Sequence, residues 1–183
     1  MSAGMEGASP GRGVQQPPPN PPPDPAALPA RAEELTLAVA DGDLETVQEL
    51  LEITGVRAAA AAIARGDRGR RGRPGLLHIA ATNGRVAVAR ELLAEGSPGV
   101  DEREAAQGQT ALHIAAEWSN VEFMRLLREH SAAIDEADAL GLTPLLAGAA
   151  NGVLEPLRLL AQWGADLAAT EPSRGRSATH LVR

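Results

Sequence analysis

The chain has 183 residues and a mass of 18.9 kDa, room for one domain with a tail or a short array of small units, and too little for two large enzyme domains. It contains no cysteine, and all 17 basic residues are arginine, so disulfides, thiolate sites, thiol nucleophiles, lysine Schiff bases and the lysine of a phosphate loop are excluded. The net charge of −7 is uneven, because residues 57–73 hold six arginines against Asp67.

Residues 1–32 form the first segment. Nine of the 14 prolines precede residue 31, among them Pro17 to Pro19 and Pro21 to Pro23. With so little apolar surface to bury, this reads as a disordered Pro-rich tail, partly polyproline II. PxxP spacings occur without the adjacent arginine of an SH3 ligand, so a spacer is expected. The segment has no basic start followed by an apolar run and no membrane-spanning stretch, which points to a soluble intracellular protein, cytoplasmic or nuclear, that does not engage a membrane.

From Glu33 the pattern turns helical. Leu35, Ala38, Val39, Leu44, Val47, Leu50 and Leu51 fall at helical spacing around Gly42, which predicts two short helices joined at that glycine. An Ala/Arg-rich insert, residues 56–72, follows. Its alanines can extend or add a helix, and its Gly-Arg part reads as loop. Aromatics are only 2% of the chain, so the interior has to come from Leu, Ala, Val and Ile, which suits thin, closely packed helices.

A single pattern then recurs. GLLHIAATNG begins at Gly75, GQTALHIAAEWSN at Gly108, GLTPLLAGAANG at Gly141, and GRSATHLVR at Gly175. One slot is held by His78, His113, Leu146 and His180, at steps of 35, 33 and 34 residues; the same slot in the first unit is Thr36, 42 residues earlier than His78. Regular steps mean stacked units, and the long first step places the insert between the first two. Thr110, Thr143 and Ser177 stand where a helix needs a cap, and Pro144 sits where a first-turn proline is tolerated. In the second unit Pro74-Gly75 replaces the capping threonine, which predicts fraying of that helix. Ala80-Ala81 and Ala115-Ala116 permit close helix approach, and Leu92-Leu93, Leu126-Leu127 and Leu159-Leu160 supply a stacking face.

These motifs resemble the ankyrin repeat from about Glu33 onward; GQTALHIAA and GLTPLLAGAANG are close to its G-x-T-P-L-H-x-A-A signature. The resemblance implies an all-α fold with β-hairpin turns, an α-solenoid of stacked helix-turn-helix units spanning 33–183. The repeats fall at about 33–55, 73–104, 105–137 and 138–171, with a partial unit at 172–183. That last unit is too short to close the array, so the leucine-rich side of the fourth is expected to be open, available for oligomerisation or belonging to a fragment of a longer repeat protein.

Catalysis and metal binding find little support. His113 and Glu117 lie four apart on one helical face, a spacing that can present two metal ligands, but the family pattern gives this histidine a structural role. Asp135, Glu136 and Asp138 lack the glycine and closing glutamate of a calcium loop, and no nucleophile, base and oxyanion donors assemble. A non-enzymatic protein with no cofactor and no metal is expected.

The function implied is protein-protein interaction, through the hairpin tips and the inner face of each first helix. By position in the motif the contact residues are Arg71, Thr82, Asn83, Gln107, Gln109, Glu117, Trp118, Leu140, Leu142, Asn151, Arg174 and Arg176. Trp118 stands out, because the matching slots hold asparagine or aspartate; with Leu140 and Leu142 it is expected to form an apolar anchor, whereas Trp163 is expected to pack locally. The alternative is nucleic-acid binding, RNA above all, through Arg65, Arg68, Arg70, Arg71 and Arg73. These interleave with glycine and suit phosphate contacts, but they lack an accompanying aromatic and sit on an acidic protein.

Overall fold

The structure is a computed structural model and describes residues 26–53, 55–65, 74–94, 99–172 and 175–181. The Pro-rich segment before residue 26 and Arg68, Arg70, Arg71, Arg73 and Arg174 lie outside the described residues.

Helix α1 (Leu28–Asp41) starts ahead of the boundary expected at Glu33, because Pro29 falls in its first turn, where the missing N–H breaks no helical bond. It buries Ala32, Leu35, Ala38 and Val39 and ends at Gly42, whose φ of +83° suits glycine. Helix α2 (Leu44–Glu52) opens on Asp43, whose carboxylate accepts from the Thr46 amide at 3.3 Å and the Thr46 hydroxyl at 2.6 Å. Those hydrogen bonds, the hydroxyl's first, hold the exposed Asp43 carboxyl below its usual pKa.

The alanine run of the insert forms a helix of its own, α3 (Val56–Arg65), which packs mainly against α1 and less on α2 and α4. Val56 and Ala60 are buried at that contact, where small side chains let two helix backbones approach closely. The insert is therefore part of the core over its first half.

Three two-helix units follow: α4 (Leu76–Thr82) with α5 (Val86–Ala94), α6 (Ala111–Glu117) with α7 (Val121–Glu129), and α8 (Pro144–Ala150) with α9 (Leu154–Gln162). The short α10 (Ala178–Leu181) ends the described chain. First helices stack in the row α1, α4, α6, α8, α10 and second helices in the row α2, α5, α7, α9. Ala80, Ala81, Ala115 and Ala116 have no exposed surface and keep the first row close, while Leu92, Leu126, Leu127 and Leu160 fill the second. Where Gly148 faces Ala116, an added Cβ would stand 3.3 Å from the Ala116 carbonyl oxygen.

Between units the chain makes tight hairpin turns. Glu104 N–H bonds to the Gln109 carbonyl, Asp138 to that of Leu142 and Glu171 to that of Arg176, at 2.8 to 2.9 Å. Among the described residues these turns build no β-ladder, only the isolated bridge between Thr170 and Ser177. Other tip amides bond within their own hairpin, as Gly108 does to the Glu104 carbonyl and Gly141 to that of Asp138, and the Ala139 amide reaches the Gln107 carbonyl of the neighbouring tip.

Candidate functional site

The histidine slot is structural. His113 is fully buried; its Nδ1 accepts from the Thr110 amide at 3.1 Å, with the Thr110 hydroxyl 2.9 Å away. The proton therefore sits on Nε2, which donates to the Leu142 carbonyl of the next unit at 2.9 Å. Both ring nitrogens are engaged, so neither has a lone pair to offer a metal. His78 repeats half of this: its Nε2 donates to the Gln109 carbonyl at 3.0 Å, but its Nδ1 is buried without a partner. The cause is local, because Gly75 stands where Thr110 stands in the next unit and brings no side chain. Burial, ahead of every other influence, lowers the pKa of both imidazoles. In the fourth unit Leu146 fills the slot as a buried apolar residue and brings no donor.

A second set of bonds runs the opposite way. Arg85 Nε donates to the Ala40 carbonyl at 3.1 Å, Asn120 Nδ2 to that of Ala81 at 2.7 Å, and Asn151 Nδ2 to that of Glu117 at 2.6 Å. Each satisfies a carbonyl at the C-terminal end of a first helix in the preceding unit, where no intrahelical partner exists. Aspartates add a third set: Asp101 accepts from the Ala133 amide at 2.9 Å and Asp135 from that of Asp166 at 3.1 Å. The carboxylate of Asp138 closes its own hairpin, accepting from the Leu140 and Leu142 amides at 2.8 Å each. Sequence reasoning considered the acids at 135, 136 and 138 only as a calcium loop; their spacing from Asp101 and Glu104 was the available sign of these roles. Arg103 is paired with Glu136 across the same boundary.

Several expected contact residues sit within this framework. Gln109 and Leu142 are half-buried; their carbonyls receive the histidines, and Leu142 packs against the core. The half-buried Arg176 is held by Glu171 at 3.2 Å. Thr82 and Asn83 are exposed and bond back to the carbonyls of His78 and Ile79. Gln107 is exposed at its hairpin tip, where its carbonyl accepts from the Ala139 amide of the next tip. Arg65 closes α3, and its side chain lies outside what is described. Trp163 is half-buried against the core.

Two large apolar side chains of the expected set face solvent, Trp118 at 60% exposure and Leu140 at 65%. Trp118 caps the C-terminal end of α6, its amide bonded to the Ile114 carbonyl at 2.9 Å, and Ser119 then turns the chain at φ +57°. The indole is thus carried on fixed backbone. Asn83 and Asn151 hold the same position on α4 and α8, so the three C-terminal corners form one row along the stack, with the Asn151 side chain bonded to Glu117 beside the tryptophan.

Among the described residues no group of three or more His, Asp or Glu could hold a metal, and no helix is long and apolar enough to cross a membrane. Units of two short antiparallel helices joined by hairpin turns and stacked through matching rows define a helical repeat protein of solenoid type. The family model described as ankyrin repeats (3 copies) matches residues 35–132 and, overlapping, 77–171. The chain belongs to the ankyrin-repeat family, whose members are generally protein-protein interaction modules and typically not enzymes.

Proposed function

We propose that this protein is a non-catalytic interaction module that binds a protein partner through the row of first-helix corners, with Trp118 as the anchor. The observation that carries the reading is a tryptophan 60% exposed on fixed backbone, in the slot where the neighbouring units place asparagine. Tryptophan is the side chain most enriched among interface residues that dominate binding energy. Because the scaffold is held by the bonds described above, little ordering accompanies binding. The Glu117 carboxyl beside Trp118 favours a partner segment bringing an arginine or aliphatic side chain onto the indole face.

The test is a pull-down with wild type and Trp118→Ala, partners identified by mass spectrometry and affinities measured by calorimetry. The substitution is expected to weaken the principal partner by about 2 kcal/mol or more while the melting temperature stays within error. Unaltered affinity with a large loss of stability would assign Trp118 to the core.

A further inference from the structure

We propose that the segment docking on this edge is extended and basic, and that it grips two apolar points at once, Trp118 and Leu37; the inference rests on the reading of Trp118 given above. Helix α1 leaves Leu37 66% exposed, more than Trp118 itself. Leu37 precedes Asp41 by four residues, as Ile114 precedes Trp118, so it stands one helical turn below the corner row. Its counterparts are covered: Ile79 is half-buried, and Ile114 and Ala147 are 8% and 6% exposed. The corner is thus polar in the first unit and apolar in the third, while the slot below it is open in the first and closed in the third. What remains exposed is an apolar diagonal.

The row α1, α4, α6 sets the length of that diagonal. Two helix spacings of about 9 Å and one turn of about 5.4 Å put Leu37 about 19 Å from Trp118. An extended chain rises about 3.3 Å per residue and alternates its faces, so two side chains about six residues apart span the distance on one side.

Charge decides what lies around those two side chains. Glu34 and Asp41 share the face of α1 with Leu37, three residues before it and four after, and both are exposed. Glu117 adjoins Trp118 in the chain, and Arg85 has its Nε already engaged by the Ala40 carbonyl. Carboxylates at both ends favour arginine or lysine beside the apolar residues and oppose the phosphates of a nucleic acid.

Asn83 favours the extended form. It holds the exposed corner of the unit between the two points, and its Nδ2 donates to the Ile79 carbonyl at 2.9 Å, which leaves Oδ1 as the acceptor. An extended segment brings a backbone N–H to that oxygen. A helix has the N–H groups along its middle bonded within itself.

Selection of a phage-displayed random library of about twelve residues on the full chain tests the chemistry first. Enriched peptides are expected to carry two aliphatic or aromatic residues about six apart, with arginine or lysine beside them. The strongest of them, fluorescein-labelled and followed by anisotropy, is then the probe. Leu37→Gln and Trp118→Ala, each checked for unchanged helicity and melting temperature, are each expected to weaken it about tenfold. Glu34→Gln combined with Glu117→Gln is expected to weaken it about threefold at low salt, an effect that about 0.5 M salt removes. Dependence on Trp118 alone overturns the two-point grip and leaves the anchor standing; dependence on Leu37 alone, or on neither, overturns both readings. Acidic enriched peptides, a probe that gains helical circular dichroism on binding, or a selection that enriches nothing likewise overturns the proposal.

Discussion

The Nε2 of His113 lies 2.9 Å from the carbonyl oxygen of Leu142, joining the third unit to the hairpin of the fourth, while the same ring holds the Thr110 amide at 3.1 Å. One buried side chain thus satisfies groups in two units. His113→Ala is expected to destabilise the protein by about 3 kcal/mol, combining a cavity with a buried amide left unbonded. Urea denaturation followed by circular dichroism measures it; a change under about 1 kcal/mol would mean that water replaces the ring without loss.

Both buried histidines also set an acid limit. Burial lowers their folded pKa below the ordinary 6.5, so between the two values the unfolded chain binds more protons than the folded one. The stability they contribute is complete above pH 6.5 and is lost as pH falls toward the folded values. The melting temperature is expected to drop from about pH 7.5 to about pH 5.5, and the drop to shrink in His78→Gln/His113→Gln. An identical pH profile for the double variant would remove the histidines as its cause.

The second unit lacks what the third has. Gly75 leaves His78 Nδ1 unbonded, and a Cβ there would stand 3.0 Å from that nitrogen, close enough that the ring must shift slightly to receive a hydroxyl. Gly75 already has extended backbone, φ −66° and ψ 165°, near the −88° and 165° of Thr110. Gly75→Ser is expected to stabilise the chain by about 1 kcal/mol and to slow amide exchange in α4. Destabilisation would show that the ring cannot move.

Ser119 donates its amide to the Ala116 carbonyl at 3.2 Å, as Gly84 does to Ala81 and Gly152 to Ala149. All three have positive φ, but only Ser119 carries a side chain there. Ser119→Gly is expected to raise stability by roughly 0.5 kcal/mol, the relief of left-handed strain exceeding the added freedom of the unfolded chain. Thermal melts check it, and a lowered melting temperature would assign the Ser119 hydroxyl a bond that offsets the strain.

Much of this was legible because a repeat is its own alignment. The recurrence of His78, His113 and His180 separated the structural histidine from a catalytic one, and the slot of Trp118 marked it as unlike its neighbours. The lateral bonds were not legible. Arg85, Asn120 and Asn151 reach carbonyls 45, 39 and 34 residues away, and no local preference encodes so distant a partner. The helix of the insert was half legible: alanines state a helical preference, but its packing on α1 depends on contacts across the fold.

The lateral bonds have a direction. Imidazoles give protons onward to the following unit, while asparagine and arginine give them back to the one before. A unit lifted out of the middle would therefore strand a donor on one side and an acceptor on the other. Such an array tolerates loss or duplication of a whole period, in phase, far better than a shift of a few residues. Its evolution by unequal recombination would be confined to steps that keep this two-way lacing intact.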